Sequence, residues 1–260
     1  MHILLHWNCK AARLKPLAAF SPTGLACWSE VYILSYMSQR KVAFAEKEFY
    51  HLYNRGNSKQ KIFHDIKDYD RFIKLLFLSN GTQNFKFDYI DENNIFKFDR
   101  GMPLVSIGAY CLMPNHFHLL VTQTQNGSIS KFMQKLTTGY SMYYNKKYAR
   151  TGVLFEGKFK SEHAGDDRYL KYLFSYIHLN PLKLIDREWR TKGIKDIAQA
   201  ATFLKEYKYS SYVNYTDPEN TENMIITKTA FPEYFPNKET FEKEILEWLS
   251  YGDRQDLSQA

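Results

Sequence analysis

Cysteine is scarce in this chain, which holds only three cysteines (Cys9, Cys27 and Cys111) in 260 residues, without paired spacing. Glycine is also sparse, with 12 residues, and no apolar run reaches the length of about 18 residues that a membrane-spanning helix needs. These absences argue against a disulfide scaffold, a cysteine-based zinc site and a transmembrane segment. They favour a reducing compartment, and we expect a cytoplasmic protein associated with the nucleoid.

Aromatic and basic residues are abundant by contrast. The chain has 20 Tyr, 19 Phe and a net charge of +7. The charge is uneven, since residues 131–160 carry seven basic side chains and one acid, whereas residues 209–260 carry four basic and ten acidic ones. Basic runs are usually solvated helix faces. A basic middle region interleaved with tyrosines nevertheless favours nucleic acid, because phosphates bind cations and bases stack on rings.

Two histidines share one predicted strand. Residues 113–121 read MPNHFHLLV and follow another apolar segment at 104–112. Side chains alternate between the faces of a strand, so His116 and His118 project from one face and Phe117 from the other. Two imidazoles on one face can share a divalent ion. A pair of partly exposed histidines is the more ordinary interpretation, and the motif alone leaves both open.

A helix predicted over residues 166–180 carries further polar side chains. It begins with two acids, which the helix dipole favours, and Pro181 ends it. At about 100° per residue, its apolar side chains cluster in one direction, while Tyr176 and Asn180 lie together on the flank. If that flank meets the histidine strand, the Asn180 amide can be a third metal ligand beside the Tyr176 phenol. An amphipathic helix with purely structural tyrosines is the alternative.

Hydrophobic periodicity and turn residues predict the remaining elements. These are a strand over 48–54, a helix from Asp68 to Asn80, a hairpin over 85–98, antiparallel strands over 104–112 and 116–123, a helix capped by Ser128, a hairpin over 153–163 bent at Gly157, a helix over 194–207 and a last amphipathic helix that includes 241–249.

Four segments in this order resemble the HUH single-strand DNA nucleases. They are YHLYNRGNSKQKIF at 50–63, AYCLMPNHFHLLV at 109–121, VLFEGKFKSEH at 153–163 and YLFSYIHLNPLK at 172–183. Within that group the chain resembles the single-tyrosine transposases, and most of all their REP-associated branch, in which Asn-Pro follows the tyrosine helix. The resemblance covers residues 44–215.

The resemblance implies an α+β fold, with a central antiparallel sheet and helices packed on it, of the ferredoxin-like kind also found in RNA-recognition motifs. It implies that His116, His118 and Asn180 bind Mg²⁺ or Mn²⁺. Tyr176 corresponds to the nucleophile, which cuts single-stranded DNA through a 5′-phosphotyrosine intermediate and allows the strands to be rejoined.

The expected partner is single-stranded DNA with hairpin-forming repeats. Candidate DNA contacts are Arg55, Asn57, Lys158 and Lys160, for each of which a solvated charge or a turn residue is an equal interpretation. The resemblance leaves monomer and homodimer open, and we favour a monomer.

The sequence also suggests a division of the chain. Residues 1–36 are predicted to be a non-native or disordered extension before a native start at Met37, residues 37–215 the nuclease domain, and residues 216–260 an acidic helical tail.

Three other functions stay open at this point. The chain could be a domesticated binder of structured single-stranded DNA or RNA without catalysis. It could be a metal-dependent hydrolase that uses activated water. It could also be an RNA-recognition-like module whose histidines bind nothing.

Overall fold

The computed structural model describes residues 44–251. The strands are β1 (Phe49–Arg55), β2 (Val105–Met113), β3 (His116–Gln123) and β4 (Lys160–His163). The α-helices are α1 (Ile66–Ser79), α2 (Ser128–Lys147), α3 (Asp167–Leu179), α4 (Trp189–Lys192), α5 (Ile197–Glu206), α6 (Tyr212–Thr216) and α7 (Lys238–Tyr251). Short 3-10 helices cover Asn57–Lys59, Phe87–Tyr89, Glu92–Lys97, Asn180–Leu184, Thr221–Met224 and Lys228–Ala230.

The four strands form one antiparallel sheet in the order β2-β3-β1-β4. Along the chain, the order of β1, α1, β2, β3, α2 and β4 is β-α-β-β-α-β, which is the ferredoxin-like arrangement. The α+β class expected from the sequence is therefore confirmed. Strand β1 lies inside the sheet, so it can bring side chains to strands on both of its sides.

Strand register decides which side chains share a face. In β1, Tyr53 pairs with His118 of β3 and with Lys160 of β4, and His51 pairs with Glu162. Paired residues of antiparallel strands project from the same side of the sheet. One face therefore carries the histidines of both strands together with Glu162.

The opposite face of the sheet holds much of the hydrophobic core. Phe117 of β3 packs on Phe72 of α1 with ring centroids 5.0 Å apart, and Phe72 packs edge-on against Tyr140 of α2 at the same separation. All three side chains are fully buried. Helices α1 and α2 thus cover one face, which leaves the histidine face to α3 and the elements that follow it.

Helix α3 begins and ends as the sequence predicts. The Asp166 side chain accepts a hydrogen bond from the Tyr169 backbone N–H at 2.9 Å, which caps the first turn. Pro181 follows directly in a 3-10 turn. By contrast, Ser128 is the first residue of α2 rather than its cap, because Gly127, with φ at 78°, takes the cap position.

The hairpin predicted over residues 85–98 is wrong. Two 3-10 helices occupy this segment, and the second begins where the Asp91 side chain accepts from the Asn93 backbone N–H at 3.0 Å. Phe96 packs on Phe77 of α1, and Ile95 is buried. The alternating aromatics therefore anchor a loop against a helix, and none of the strands described in residues 44–251 pairs with them.

The hairpin predicted over residues 153–163 is also wrong. Phe155 forms an isolated bridge with Gly56, and β4 pairs with β1. Both arms of the segment thus pair with the β1 region and not with each other. The bend at Gly157 is present, with φ at 72°, a conformation that glycine adopts without strain.

The acidic C-terminal segment packs on the same sheet. The Thr227 backbone N–H donates to the Ile107 carbonyl at 2.8 Å, and the Phe231 ring lies so close to Gly108 that an added Cβ would approach it to 2.8 Å. Phe241 of α7 is fully buried. Residues 44–251 lie in one compact unit, the boundary at 215 stays a prediction, and the expected extension 1–36 lies outside the described residues.

Within residues 44–251, no helix is both long and apolar enough to cross a membrane.

Candidate nuclease site

His116 and His118 start strand β3, immediately after the turn at Pro114-Asn115. Their rings are perpendicular, with centroids 5.0 Å apart. His118 is 6% exposed, and His116 is partly buried. The two imidazoles therefore lie side by side on one face, as the alternation predicted.

Each imidazole has its Nδ1 engaged by a neighbouring side chain. His116 Nδ1 lies 2.7 Å from Asn115 Oδ1, and His118 Nδ1 lies 2.8 Å from His51 Nε2. His118 Nε2 is buried and has no hydrogen-bond partner among residues 44–251. Metal-binding histidines commonly use one nitrogen for the ion and the other for an orienting hydrogen bond. His118 shows this pattern with a free Nε2.

Glu162 of β4 lies next to His51, at the end of this histidine pair. Its Oε2 lies 3.7 Å from His51 Nδ1, and its Oε1 accepts from the Tyr53 hydroxyl at 2.8 Å. If His118 carries its proton on Nδ1, it donates to His51 Nε2, and the remaining His51 proton faces the carboxylate. In this set of tautomers, His51 Nδ1–H faces the carboxylate at a distance longer than a hydrogen bond, and the lone pair of His118 Nε2 stays available.

The surroundings keep these groups in the required ionisation states. Burial, reinforced by the nearby Lys183 and Arg55, lowers the pKa of His116 to about 4. Burial and the neighbouring histidines hold the pKa of His118 well below its usual value. Contact with His51, followed by the hydrogen bond from Tyr53, lowers the pKa of Glu162 to about 2. At neutral pH both imidazoles can therefore offer lone pairs, and Glu162 is a carboxylate.

Tyr176 of α3 lies directly against the histidines. Its ring centroid is 5.6 Å from that of His118 and 5.7 Å from that of His51, in edge-on arrangements. The Arg190 guanidinium lies over the same ring, 4.3 Å from its centroid. The flank of α3 therefore meets the histidine strand. The phenol ring contacts both imidazoles and a cation.

Asn180 is fully buried at the end of α3. Its Nδ2 donates to the Tyr176 carbonyl at 2.8 Å, and its Oδ1 accepts from Lys183 Nζ at 3.2 Å. Burial, reinforced by Arg190, lowers the pKa of Lys183 to about 8. The amide is therefore held rigidly near Tyr176, and its oxygen contacts an ammonium group.

The suitability of these residues for a metal ion can be judged from their donors. Among residues 44–251, no three His, Cys, Asp or Glu side chains are grouped as a metal site. The set predicted from the sequence is instead two imidazoles and an amide oxygen. The unpartnered His118 Nε2 fits a cation, and Asn180 Oδ1 fits one if Lys183 releases it. The two imidazoles and the amide oxygen therefore suit a divalent ion, provided that Lys183 leaves Asn180 Oδ1.

The four candidate DNA contacts fall into two pairs. Arg55 pairs in register with His116 and also donates from Nη2 to Glu156 Oε1 at 3.0 Å, and exposed Lys160 pairs with Tyr53. These two therefore lie on the histidine face. Asn57 and Lys158 are exposed and lie outside the strands of the sheet. Their assignment as DNA contacts stays a prediction.

The sequence did not single out four neighbours of the histidines and tyrosine: His51, Glu162, Lys183 and Arg190. His51 could have been found, because the alternation of residues 48–54 already places it on one strand face beside Tyr53. Glu162 and Arg190 carry no local signal, since their positions depend on strand order and on the path of the chain after α3.

The segment that contains the site also has a recognised sequence pattern. Residues 96–180 match the family model described as "Transposase IS200 like". Over these residues, the chain is similar to the IS200-like transposases. The match includes His116, His118, Tyr176 and Asn180, and it confirms the resemblance to this kind of transposase.

One solved structure is described as a REP-associated tyrosine transposase bound to a REP hairpin. It is 11% identical to this chain with a TM-score of 0.44, and the alignment covers 69% of this chain and 85% of that one. A search of curated protein sequences finds no match.

Proposed function

We propose that the protein is a single-strand DNA endonuclease and strand transferase that uses Tyr176 as its nucleophile. The observation that carries the proposal is the position of the Tyr176 ring, against His118 and beneath the Arg190 guanidinium. The similarity of residues 96–180 to IS200-like transposases supports the same reaction class.

The reaction follows from the chemistry of a phenol next to cations. The Tyr176 oxygen loses its proton and attacks the phosphorus, the P–O3′ bond breaks, and the 3′ oxygen leaves and takes up a proton. The products are a 5′-phosphotyrosine and a free 3′-hydroxyl, which can reverse the step and rejoin the strands. Arg190 and Lys183, whose cationic groups lie 4.3 and 5.8 Å from the Tyr176 ring centroid, can bind the oxygens of the phosphate that Tyr176 attacks.

A divalent ion fits this site on the donor set described above. His116, His118 and Asn180 would hold it, and two imidazoles suit Mn²⁺ better than Mg²⁺, which prefers oxygen. When bound, such an ion acts as a Lewis acid on the phosphate. The chain from Glu162 through His51 would keep the His118 ring oriented for this role.

The partner we propose is single-stranded DNA that carries hairpin-forming repeats. The cations of the histidine face, Arg55, Lys160, Lys183 and Arg190, suit a phosphate backbone. Unpaired strands beside a hairpin expose the bases and the scissile phosphate without any need to open a duplex. We propose a monomer as the working form.

A covalent-adduct assay tests the nucleophile. Labelled hairpin DNA with a single-stranded flank is incubated with Mn²⁺ and the wild type, Tyr176→Phe or Tyr172→Phe, and the products are separated on denaturing gels. Tyr172 is the matched control, because it lies one turn away on the same helix, with its ring 5.8 Å from that of Tyr176. We expect an adduct with the wild type and with Tyr172→Phe, and none with Tyr176→Phe.

Two other results would point elsewhere. Cleavage without any adduct, unchanged in Tyr176→Phe, would falsify tyrosine attack and favour activated water. Binding of the hairpin without cleavage under any metal condition would favour a non-catalytic DNA-binding protein.

A further inference from the structure

Asn115 stands directly before His116, in the turn between β2 and β3. Its Oδ1 lies 2.7 Å from His116 Nδ1, and its Nδ2 donates to the Lys59 carbonyl at 3.3 Å. The same side chain therefore contacts a candidate metal ligand on one side and a backbone loop on the other. These two contacts together decide which nitrogen of His116 carries the proton.

The Lys59 carbonyl fixes the orientation of the Asn115 amide. A carbonyl oxygen can only accept a hydrogen bond, so the amide nitrogen faces Lys59 and the amide oxygen faces His116. The amide oxygen is also only an acceptor, so the proton of the neutral His116 imidazole lies on Nδ1. The lone pair of His116 then lies on Nε2, the same nitrogen that His118 leaves available.

The loop that presents the Lys59 carbonyl has a strained backbone. Ser58 and Lys59 follow each other with φ at 53° and 60°, in the left-handed region that non-glycine residues adopt at a cost in free energy. At the start of the loop, a Cβ on Gly56 would lie 2.3 Å from the Gln60 carbonyl oxygen, so this close approach requires glycine. Backbone strain of this kind clusters at functional sites.

Backbone hydrogen bonds hold the loop against the turn before the histidine strand. The Gly56 N–H donates to the Asn115 carbonyl at 2.8 Å, and the N–H groups of Ile62 and Phe63 donate to the Pro114 carbonyl at 2.8 and 3.1 Å. The loop is therefore fixed to the turn at both of its ends. The carbonyl that orients the amide lies between these two attachments.

We propose that Asn115 is a positioning residue of the nuclease site. The loop at residues 56–60 holds its amide in the orientation that leaves His116 Nε2 with a lone pair for a divalent ion. Asn115 acts through His116 and not on the DNA itself. The proposal rests on the proposed function, and it gives the segment YNRGNSK at 53–59 a role in the metal site.

The tautomer of His116 can be measured without any metal. In EDTA at neutral pH, nitrogen-15 chemical shifts distinguish the imidazole nitrogen that carries the proton from the one that carries the lone pair. His116→Gln identifies the signals of His116 among the eight histidines. We expect the proton on Nδ1 in the wild type. In Asn115→Ala, we expect the population to shift towards the form with the proton on Nε2, because Nδ1 has lost its acceptor.

Mn²⁺ titrations followed by electron paramagnetic resonance measure the consequence for binding. A proton on Nε2 blocks that nitrogen as a ligand, so Asn115→Ala should bind Mn²⁺ roughly 10-fold more weakly. Asn115→Asp should restore the tautomer and at least the wild-type affinity, because both carboxylate oxygens accept and neither needs the Lys59 carbonyl to orient it. Asn126→Ala, at an exposed position beyond the other end of β3, is the control and should change neither quantity.

A wild-type His116 with its proton on Nε2 would overturn the proposal, and so would an unchanged tautomer or an unchanged Mn²⁺ affinity in Asn115→Ala. Equal losses in Asn115→Ala and Asn115→Asp would also overturn it, since they would assign the effect to the turn and not to the hydrogen bond.

These outcomes are separate from those for Tyr176. A covalent adduct with unchanged Mn²⁺ affinity in Asn115→Ala would leave the nuclease intact and remove the role of Asn115. A tautomer shift and a lower affinity in Asn115→Ala, without any adduct in the wild type, would keep that role and remove the nuclease.

Discussion

At the scale of single residues, His51 links a carboxylate on one side of β1 to a histidine on the other. His51 Nε2 is 2.8 Å from His118 Nδ1, and its Nδ1 is 3.7 Å from Glu162. An acceptor of this kind fixes the ring of a metal ligand and raises its basicity, and losing it typically costs 10- to 100-fold in metal affinity, roughly. We therefore expect His51→Gln to weaken Mn²⁺ binding by about that factor, as measured by electron paramagnetic resonance.

The control for this prediction is His163→Gln. His163 also contacts a carboxylate, with Nε2 2.6 Å from Glu48 Oε2, but it pairs with Tyr50 and so lies on the opposite face of the sheet. Its substitution should leave Mn²⁺ affinity unchanged. Equal affinities of the wild type and His51→Gln would show that the hydrogen bond between His51 and His118 does not support a metal ligand.

Lys183 opposes the metal site in a way that can be measured. Its ammonium occupies Asn180 Oδ1 and contributes to the low pKa values of His116 and His118. Lys183→Met keeps an unbranched apolar stem, frees the amide oxygen and removes a positive charge. We expect Mn²⁺ affinity to rise by about 1 kcal/mol, or roughly 5-fold.

The same substitution should weaken DNA binding. It should also reduce the slope of log affinity against log salt concentration by about the amount expected for one phosphate contact. Lys171→Met is the control, because Lys171 lies on α3, the helix that precedes Lys183, and pairs with Glu244 at 2.8 Å. If the affinities of Lys183→Met for Mn²⁺ and for DNA both rise or both fall, Lys183 does not lie between the metal site and the phosphate.

At the scale of elements, Asp68 joins α1 to α2. It is fully buried and accepts from Lys147 Nζ at 2.6 Å and from the hydroxyls of Tyr143 and Tyr148 at 3.0 and 2.7 Å. Burial alone would raise the pKa of Asp68, but the hydrogen bonds from Lys147, the His64 backbone N–H and the two tyrosines outweigh it and lower the pKa. The ionised form therefore stabilises the folded protein.

The sign of this effect predicts a pH dependence. Above pH 5, roughly, Asp68 is ionised in both states and its contribution is complete. As the pH falls through the ordinary value of 3.8, the unfolded chain takes up the proton first, and stability is lost. Asp68→Asn should cost about 3 kcal/mol at neutral pH and flatten this acid slope, as measured by urea unfolding.

Asp88→Asn serves as the comparison for Asp68. Asp88 is exposed and lies 3.9 Å from Lys146, so its substitution should change stability by less than about 0.5 kcal/mol. An acid slope in Asp68→Asn as steep as in the wild type would assign the acid sensitivity to other groups.

Most elements could be predicted from the sequence, because their signals are local. Strands β2 and β3 follow from apolar runs, and α3 follows from acidic residues at its start, helical spacing and Pro181. The segments 85–98 and 153–163 were predicted wrongly, because alternation shows that side chains face two ways and does not identify a partner. Phe96 faces α1, and β4 pairs with β1, and both facts depend on contacts distant in sequence.

The candidate site was predictable to the extent that its residues lie in short motifs. His116, His118, Tyr176 and Asn180 each stand in a recognisable segment, and the structure brings the tyrosine against the histidines. The partners of these residues could not be predicted, since His51 reaches His118 only through the pairing of β1 with β3. The contact between Asn180 Oδ1 and Lys183 is also invisible in the sequence, although the two residues are close along the chain.

At the scale of the whole molecule, the acidic C-terminal segment belongs to the same core as the sheet. Phe241 is fully buried and stacks on Tyr215 at 4.8 Å, while His178 of α3 lies edge-on at 5.1 Å. We expect Phe241→Ala to lower the free energy of unfolding of the entire molecule by about 3 to 5 kcal/mol. Denaturant unfolding followed by fluorescence and by circular dichroism should show one shared transition.

Leu246→Ala, on the same helix but 42% exposed, should cost far less. Two separate transitions, or a loss confined to one probe, would instead indicate that the segment after residue 215 folds as an independent tail.

The interior position of β1 also affects how the protein is made. Among the described strands, β1 leaves the ribosome first, yet its neighbours β3 and β4 and the helix with Tyr176 are synthesised later. Under the proposed function, a nascent chain has no nucleophile until α3 has emerged, and by then both neighbours of His51 are available. DNA-cutting activity would therefore arise only after α3 has been synthesised, and chains interrupted before that point would not cut DNA.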